Sequence, residues 1–386
     1  MNLRDQFLLS NDITYLNHGS FGACPAPVFE NYQYWQTVLE SEPVEFFTRI
    51  GPQQLEISKA ALSSFLNCDP SDMVFTTNPS YAMNIIAKGL DLKPGDEILS
   101  TDHEYGAMDR TWKYYCMRTG AKYVQVPVEL PYESREGLTE LIFDRVNKKT
   151  KAIFISHITS PTALIFPVEE ICERARQAGI MTIVDGAHAP GHIPLDLNDL
   201  QADIYTGACH KWMLAPKGSA FLYVRKELQD LFDPLLISWG YDADEPGPSK
   251  FIDYHQMQGT RDYAAFLTLP AAMKFMEEND WKNVSQRCKD LIKAHYPTLC
   301  SLVDSTPICP LDDRYLGQMC TIEVPFRDDI KTLKEMLFNE QKVEIPVIQF
   351  KEKTYVRMSL NGYNTEEDIQ ILEKALLKIL QRSGNQ

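Results

Sequence analysis

From about residue 50 to about residue 235, short apolar or β-branched runs alternate with longer amphipathic stretches. Met73–Asn78, Glu97–Thr101, Lys122–Val128, Lys151–His157, Met181–Asp185, Asp203–Gly207 and Ser219–Val224 are expected to form strands. Between them, Ser80–Gly89, Ala107–Thr119, Leu138–Asn147 and Pro167–Ala178 are expected to form helices. Such alternation predicts an α/β fold, a mainly parallel sheet with helices over both faces. Ligands of such sheets bind beyond the carboxyl ends of the strands, so the chemistry is expected on residues that just follow a strand.

The stretch Tyr241–Gly259 is rich in Gly, Pro and acidic residues and reads as a long loop and a boundary. Helical patterns follow at Ala264–Asn279 and Trp281–Tyr296, then strand-like runs at Gln318–Val324 and Thr354–Ser359. A final helix is expected over Thr365–Arg382. It opens with Thr365, Glu366, Glu367 and Asp368, whose oxygens can serve the free N–H groups of a first turn. This half reads as a smaller α+β domain.

Composition narrows the partners. The 386 residues carry a formal charge of −15, which repels nucleic-acid phosphates and anionic lipid. No apolar run reaches the roughly 20 residues that span a bilayer. The N-terminus lacks a basic region ahead of an apolar stretch, so a cytoplasmic protein is expected. Nine scattered cysteines form no C-x-x-C pair and no cluster with zinc spacing, so no metal site is expected.

The strongest chemical signal is the pair VDGAHAPG and TGACHKWMLAPKGSAFL. Asp185 ends an otherwise apolar strand, where a carboxylate is costly to bury without a partner. His210–Lys211 follows another strand. An acid and a lysine at strand ends, facing one cleft, suit pyridoxal 5'-phosphate (PLP): the acid keeps the ring nitrogen protonated, and the lysine forms the Schiff base and moves protons.

Eight segments in order make a resemblance specific: YLNHGSFGACP, TNPSYAMN, TDHEYGAM, SHITSPTALIFPV, VDGAHAPG, TGACHKWMLAPKGSAFL, QGTRDYAAFL and VRMSLNGYNTEED. With them the chain resembles the class V aminotransferase family of fold-type I PLP enzymes. Within that family it looks like the branch of isopenicillin N epimerase-like proteins and ergothioneine C–S lyases. The resemblance implies a large PLP-binding domain with a seven-stranded, mainly parallel sheet (residues 15–258), a small α+β domain (259–386), and an N-terminal segment (1–14) packed on the small domain. It also implies a homodimer with a shared active site.

The resemblance assigns roles by position. Lys211 would bind the cofactor covalently, and Asp185 would face its ring nitrogen. Asn78, Ser80 and Tyr81, at a helix start, would hold the phosphate, joined by His210 as a donor. Tyr105 would stack on the ring in preference to His103. His188 would meet the phenolic oxygen, with Ser160 near that oxygen or the substrate. Thr260 would reach the partner's phosphate site. Arg357 would take the α-carboxylate of an amino-acid substrate, with Asn17 and His18 in a segment closing over the cofactor. For several of these the ordinary alternative stands beside the functional one: a turn serine at Ser160, an N-cap at Asn78, a core or surface aromatic at Tyr105.

No cysteine follows Cys320, and Asn339–Lys353 contains none. A persulfide-forming desulfurase needs a nucleophilic thiol in that region, so that activity is not expected. The implied chemistry runs through an external aldimine and a quinonoid. β-Elimination from a sulfur-containing amino acid is preferred, with epimerisation or transamination as the alternative. A binding module that has lost catalysis is the non-enzymatic reading.

Overall fold

The computed structural model describes residues 3–326 and 329–383. Seven strands form one sheet: β1 (Met73–Thr76), β2 (Glu97–Thr101), β3 (Lys122–Val126), β4 (Thr150–Ser156), β5 (Met181–Asp185), β6 (Ile204–Ala208) and β7 (Ala220–Val224). Their order across the sheet is β1-β7-β6-β5-β4-β2-β3, and β7 runs against both of its neighbours. The remaining pairs are parallel.

The inner strands are apolar on both faces because both are covered. On β4, Ala152 and Phe154 join one core cluster while Ile153 and Ile155 join the other. Ile183 and Val184 of β5 divide in the same way, as the two-residue period of a strand requires. Helices α1 (Ala26–Ser41) and α2 (Gly51–Leu66) contribute to one cluster. On the opposite face lie α3 (Pro79–Gly89) and α4 (Gly106–Thr119). α5 (Arg135–Phe143) and α6 (Val168–Gln177) return to the α1–α2 side.

Several boundaries differ from the sequence reading. α5 starts at Arg135 rather than Leu138, because the Ser134 hydroxyl caps the Gly137 N–H at 2.8 Å. The expected loop Tyr241–Gly259 contains α7 (Lys250–Gln256). Its prolines, and its glycines other than the terminal Gly259, lie before Ser249, which caps the Ile252 N–H, and Phe251, Ile252 and His255 are buried. The helix expected over Ala264–Asn279 breaks at Thr268, and α8 is Leu269–Glu278. α9 (Trp281–Leu302) runs six residues past Tyr296 and through Pro297, with Leu299 and Cys300 buried beyond the proline.

A second sheet has β8 (Met319–Val324), β9 (Val347–Phe350) and β10 (Lys353–Ser359), antiparallel in the order β9-β10-β8. The helix α10 (Glu366–Ser383) opens as expected, with the Asp368 carboxylate accepting the Thr365 N–H at 3.0 Å. The N-terminal residues are stitched to this sheet layer. Thr14–Tyr15 pair with Val343–Glu344, Asn17 bridges Ser359, and the Leu3 N–H donates to the Gly362 carbonyl. At the β9–β10 turn, Lys351 and Glu352 both take positive φ, as a two-residue hairpin turn demands. Lys351 reaches Asp102 at 2.8 Å, which ties the hairpin to the end of β2. Among the described residues no helix is long and apolar enough to cross a membrane.

Candidate active site

The carboxyl ends of β2, β4, β5 and β6, with the N-terminus of α3, surround a cavity of about 330 Å³. Its wall includes Asn78, Ser80, Tyr105, Ser160, Asp185, His188, His210 and Lys211. Eight of the thirteen residues singled out from the sequence therefore meet on one surface. Tyr81, Thr260 and Arg357 do not line it, and Thr260 is exposed. Asn17 turns its amide to Glu344 at 2.9 Å. His18 is buried behind the wall, between the Tyr363 hydroxyl and the Lys211 carbonyl, each at 3.0 Å. The segment expected to close over the cavity instead contributes Ser20 and Phe21. It can run this close because of Gly22: at φ +69° a Cβ there would lie 2.1 Å from the His210 carbonyl oxygen.

Asp185 accepts the Ala187 N–H at 3.0 Å, and burial raises its pKa against the opposing pull of Lys211. Lys211 Nζ lies 3.2 Å from His188 Nε2. Burial and the nearby Arg357 charge bring the Lys211 amine down to about 7, although Asp185 pulls the other way. Arg357 is buried, and its partners are neutral: the carbonyl and hydroxyl of Ser160 and the hydroxyl of Ser20. Among the described residues its Nε has no partner. A buried guanidinium bonded only to neutral oxygens still lacks the anion that would offset its desolvation.

The α3 end of the cavity, expected to take the phosphate, differs in detail from expectation. Asn78 is the N-cap of α3, its Oδ1 taking the Tyr81 N–H at 2.8 Å. That uses the Tyr81 donor and leaves Ser80 to face the cavity. The His210 Nδ1–H donates to the Ser219 carbonyl at 3.1 Å, and burial lowers its pKa to about 4. In the neutral ring Nε2 is then an acceptor, so His210 would donate to a phosphate only when charged. His103 is buried, held by Thr162 at 2.8 Å and the Val128 carbonyl at 2.9 Å, and does not line the cavity. Tyr105 is 47% exposed on the cavity wall.

The sequence reading missed Glu104, which is buried between them. It accepts the Thr101 hydroxyl at 2.6 Å and the Ser156 hydroxyl at 2.5 Å, and burial pushes it up to about 8. Ser156 lines the cavity and pairs in register with Asp185. The only sequence signal was a carboxylate between two aromatic rings, His103 and Tyr105.

The chain matches the family described as aminotransferase class-V over residues 30–372. It belongs to that family, whose members use PLP. It is 31% identical to isopenicillin N epimerase from Amycolatopsis lactamdurans, with 98% of each chain covered. It is 27% identical to L-cysteine desulfhydrase from Arabidopsis thaliana, covering 95% of this chain and 88% of that protein. Among solved structures, the cystine C–S lyase C-DES in complex with cysteine persulfide superposes with a TM-score of 0.80 at 22% identity. That match covers 95% of this chain and 98% of the other. The donor set fits PLP: a helix N-terminus with Ser80 for an anion, a buried carboxylate at a strand end, an amine close to it, and an aromatic ring with open surface.

Proposed function

We propose that this protein is a PLP-dependent lyase that removes a sulfur leaving group from the β-carbon of a small amino acid, with Lys211 as the base. The reading rests on one observation above the rest: a buried amine lines a small cavity, and a buried guanidinium bonded only to neutral oxygens stands directly behind two residues of its wall, Ser20 and Ser160. A zwitterionic amino acid supplies the missing anion. When bound, PLP supplies a ring that withdraws electrons from the substrate's α-carbon.

Lys211 would hold the cofactor's aldehyde carbon, and Asp185 its ring nitrogen. Asn78 and Ser80 would take its phosphate, with His188 close to its phenolic oxygen and Tyr105 against its face. Arg357, steadied by Ser20 and Ser160, would orient the α-carboxylate through its planar fork. Displaced from the cofactor's aldehyde carbon by the substrate's amino group, Lys211 would be free to take the α-proton. The Cβ–S bond would then break, the thiolate would leave with the proton carried by Lys211, and water would release pyruvate and ammonia. About 330 Å³ must hold cofactor and substrate together, which favours a small amino acid. No enzyme thiol is required. Burial raises the pKa of Cys309, on the loop before β8, to about 12, and Cys320 is raised as well. Neither supplies the thiolate of a persulfide-forming desulfurase. Thr260, exposed and off the cavity wall, would serve the site of a second copy, giving a homodimer.

Epimerisation is the second reading, favoured by the 31% identity to an epimerase over nearly the whole chain. Incubation of the PLP-loaded protein with S-substituted L-cysteines in deuterated water separates the two. Pyruvate and free thiol support the lyase. Deuterium at an inverted α-carbon without pyruvate rejects it for the epimerase, and keto-acid formation with retention of the β-substituent rejects it for an aminotransferase.

A further inference from the structure

His188 stands between two nitrogen groups that make opposite demands on it. The Trp212 indole N–H points at Nδ1 across 3.3 Å. Lys211 Nζ lies 3.2 Å from Nε2. An indole nitrogen donates and never accepts. Nδ1 must therefore offer its lone pair, and the single proton of a neutral imidazole sits on Nε2, facing the lysine. An ammonium has only hydrogens to present and would meet that N–H head-on. All three groups are satisfied together when Lys211 is a free amine accepting from His188.

The indole has little freedom to withdraw. Trp212 is 1% exposed. It stacks on His192, with centroids 4.0 Å apart and planes at 26°, and contacts His18 at 4.8 Å. His192 is clamped in turn, its Nδ1–H donating to the His188 carbonyl at 3.0 Å while Nε2 accepts the Gln318 N–H at 2.6 Å. We propose that Trp212 is a positioning residue: its N–H fixes His188 as the Nε2–H tautomer and so keeps Lys211 as the neutral amine that can attack an aldehyde or take a proton.

The other charged groups around Lys211 do not reverse this. Arg357, from β10, and the His210 ring beside it disfavour the ammonium or the imidazolium, and Asp185 alone favours the charged amine. Burial lowers His188 well below its ordinary value, consistent with a ring that stays neutral.

The inference rests on Lys211 as the cofactor lysine, and the test keeps the two apart. Trp212→Phe preserves the ring and removes the N–H. PLP is added to the cofactor-free protein over a range of pH, and the rate at which the visible band grows is followed. The midpoint of that profile is expected to rise by about one unit, so that uptake at pH 7 slows roughly fivefold. An unchanged midpoint overturns the proposal. Should Trp212→Phe fail to fold, histidine 15N spectra of the wild-type cofactor-free protein decide it. His188 protonated at Nε2 only is expected at pH 7, and a proton on Nδ1 overturns it. A Lys211→Ala protein that still forms the covalent band would instead refute the lysine assignment.

Discussion

Two cavities of this protein differ in size and in what their polar groups have left to do. The larger, about 620 Å³, lies between the loop after β5 and helices α8 and α9, with Met273, Met276 and Trp281 among its lining residues. Its buried polar groups are settled: His192 is bonded on both nitrogens, and the Ser285 hydroxyl donates to Gln318. The smaller, about 330 Å³, is lined by a carboxylate and an amine, and a guanidinium with only neutral partners backs its wall at Ser20 and Ser160. Volume alone does not mark a site. Buried charge held ready for a missing partner does, and it is kept at a cost to stability.

The sharpest way to break this comparison is to exchange the effects. Lys211→Ala should remove the visible band of the PLP-loaded protein and lower turnover by roughly 10²–10⁴-fold or more, while the melting temperature of the cofactor-free protein holds. Trp281→Ala, in the larger cavity, should do the reverse, costing about 3–5 kcal/mol in denaturant unfolding with kcat retained in the fraction that folds. If Trp281→Ala abolished catalysis at full stability, the contrast would collapse.

Arg357→Met comes next. Losing two charge-assisted hydrogen bonds should lower kcat/KM roughly 10²–10⁴-fold, mainly through KM. The cofactor-free protein should lose little stability, because the replaced charge had no counter-ion. A large fall in its melting temperature would mean that Arg357 is structural.

The smallest effect concerns pH. Glu104 is raised to about 8 in the fold from 4.5 in the free side chain. Between those values the folded protein binds more protons than the unfolded chain, so this group's contribution to stability falls as pH rises. The slope is at most about 1.4 kcal/mol per pH unit. Glu104→Gln should flatten it, gaining stability over wild type at pH 8 relative to pH 5. Equal stability differences at both pH values would show that Glu104 is not buried as an acid. Burial of His18, His192 and His210 as neutral rings, lowered to about 3 to 4, acts in the opposite sense. Stability should be lost as pH drops below about 6.5, where the unfolded histidines take up protons.

The order of strands and helices could be read from the chain because each strand is a run of apolar residues and each helix carries its own period. Asp185 and Lys211 could be read because a charge that ends a buried strand is conspicuous in one dimension. Glu104 was passed over because a carboxylate in a loop looks solvated until Thr101 and Ser156 are brought to it from two strands. His18 was misjudged for the same reason: only packing shows that both its nitrogens are used, by Tyr363 and the Lys211 backbone.

The sequence by itself determined the alternating α/β order, the acidic surface and which residues carry the reactive groups, since these depend on local pattern and residue type. Tertiary structure decided which of those groups share one cavity, which partners meet each buried histidine, and which charges have only neutral partners. Those properties depend on distances between atoms far apart in the chain and on the water that folding removes around them.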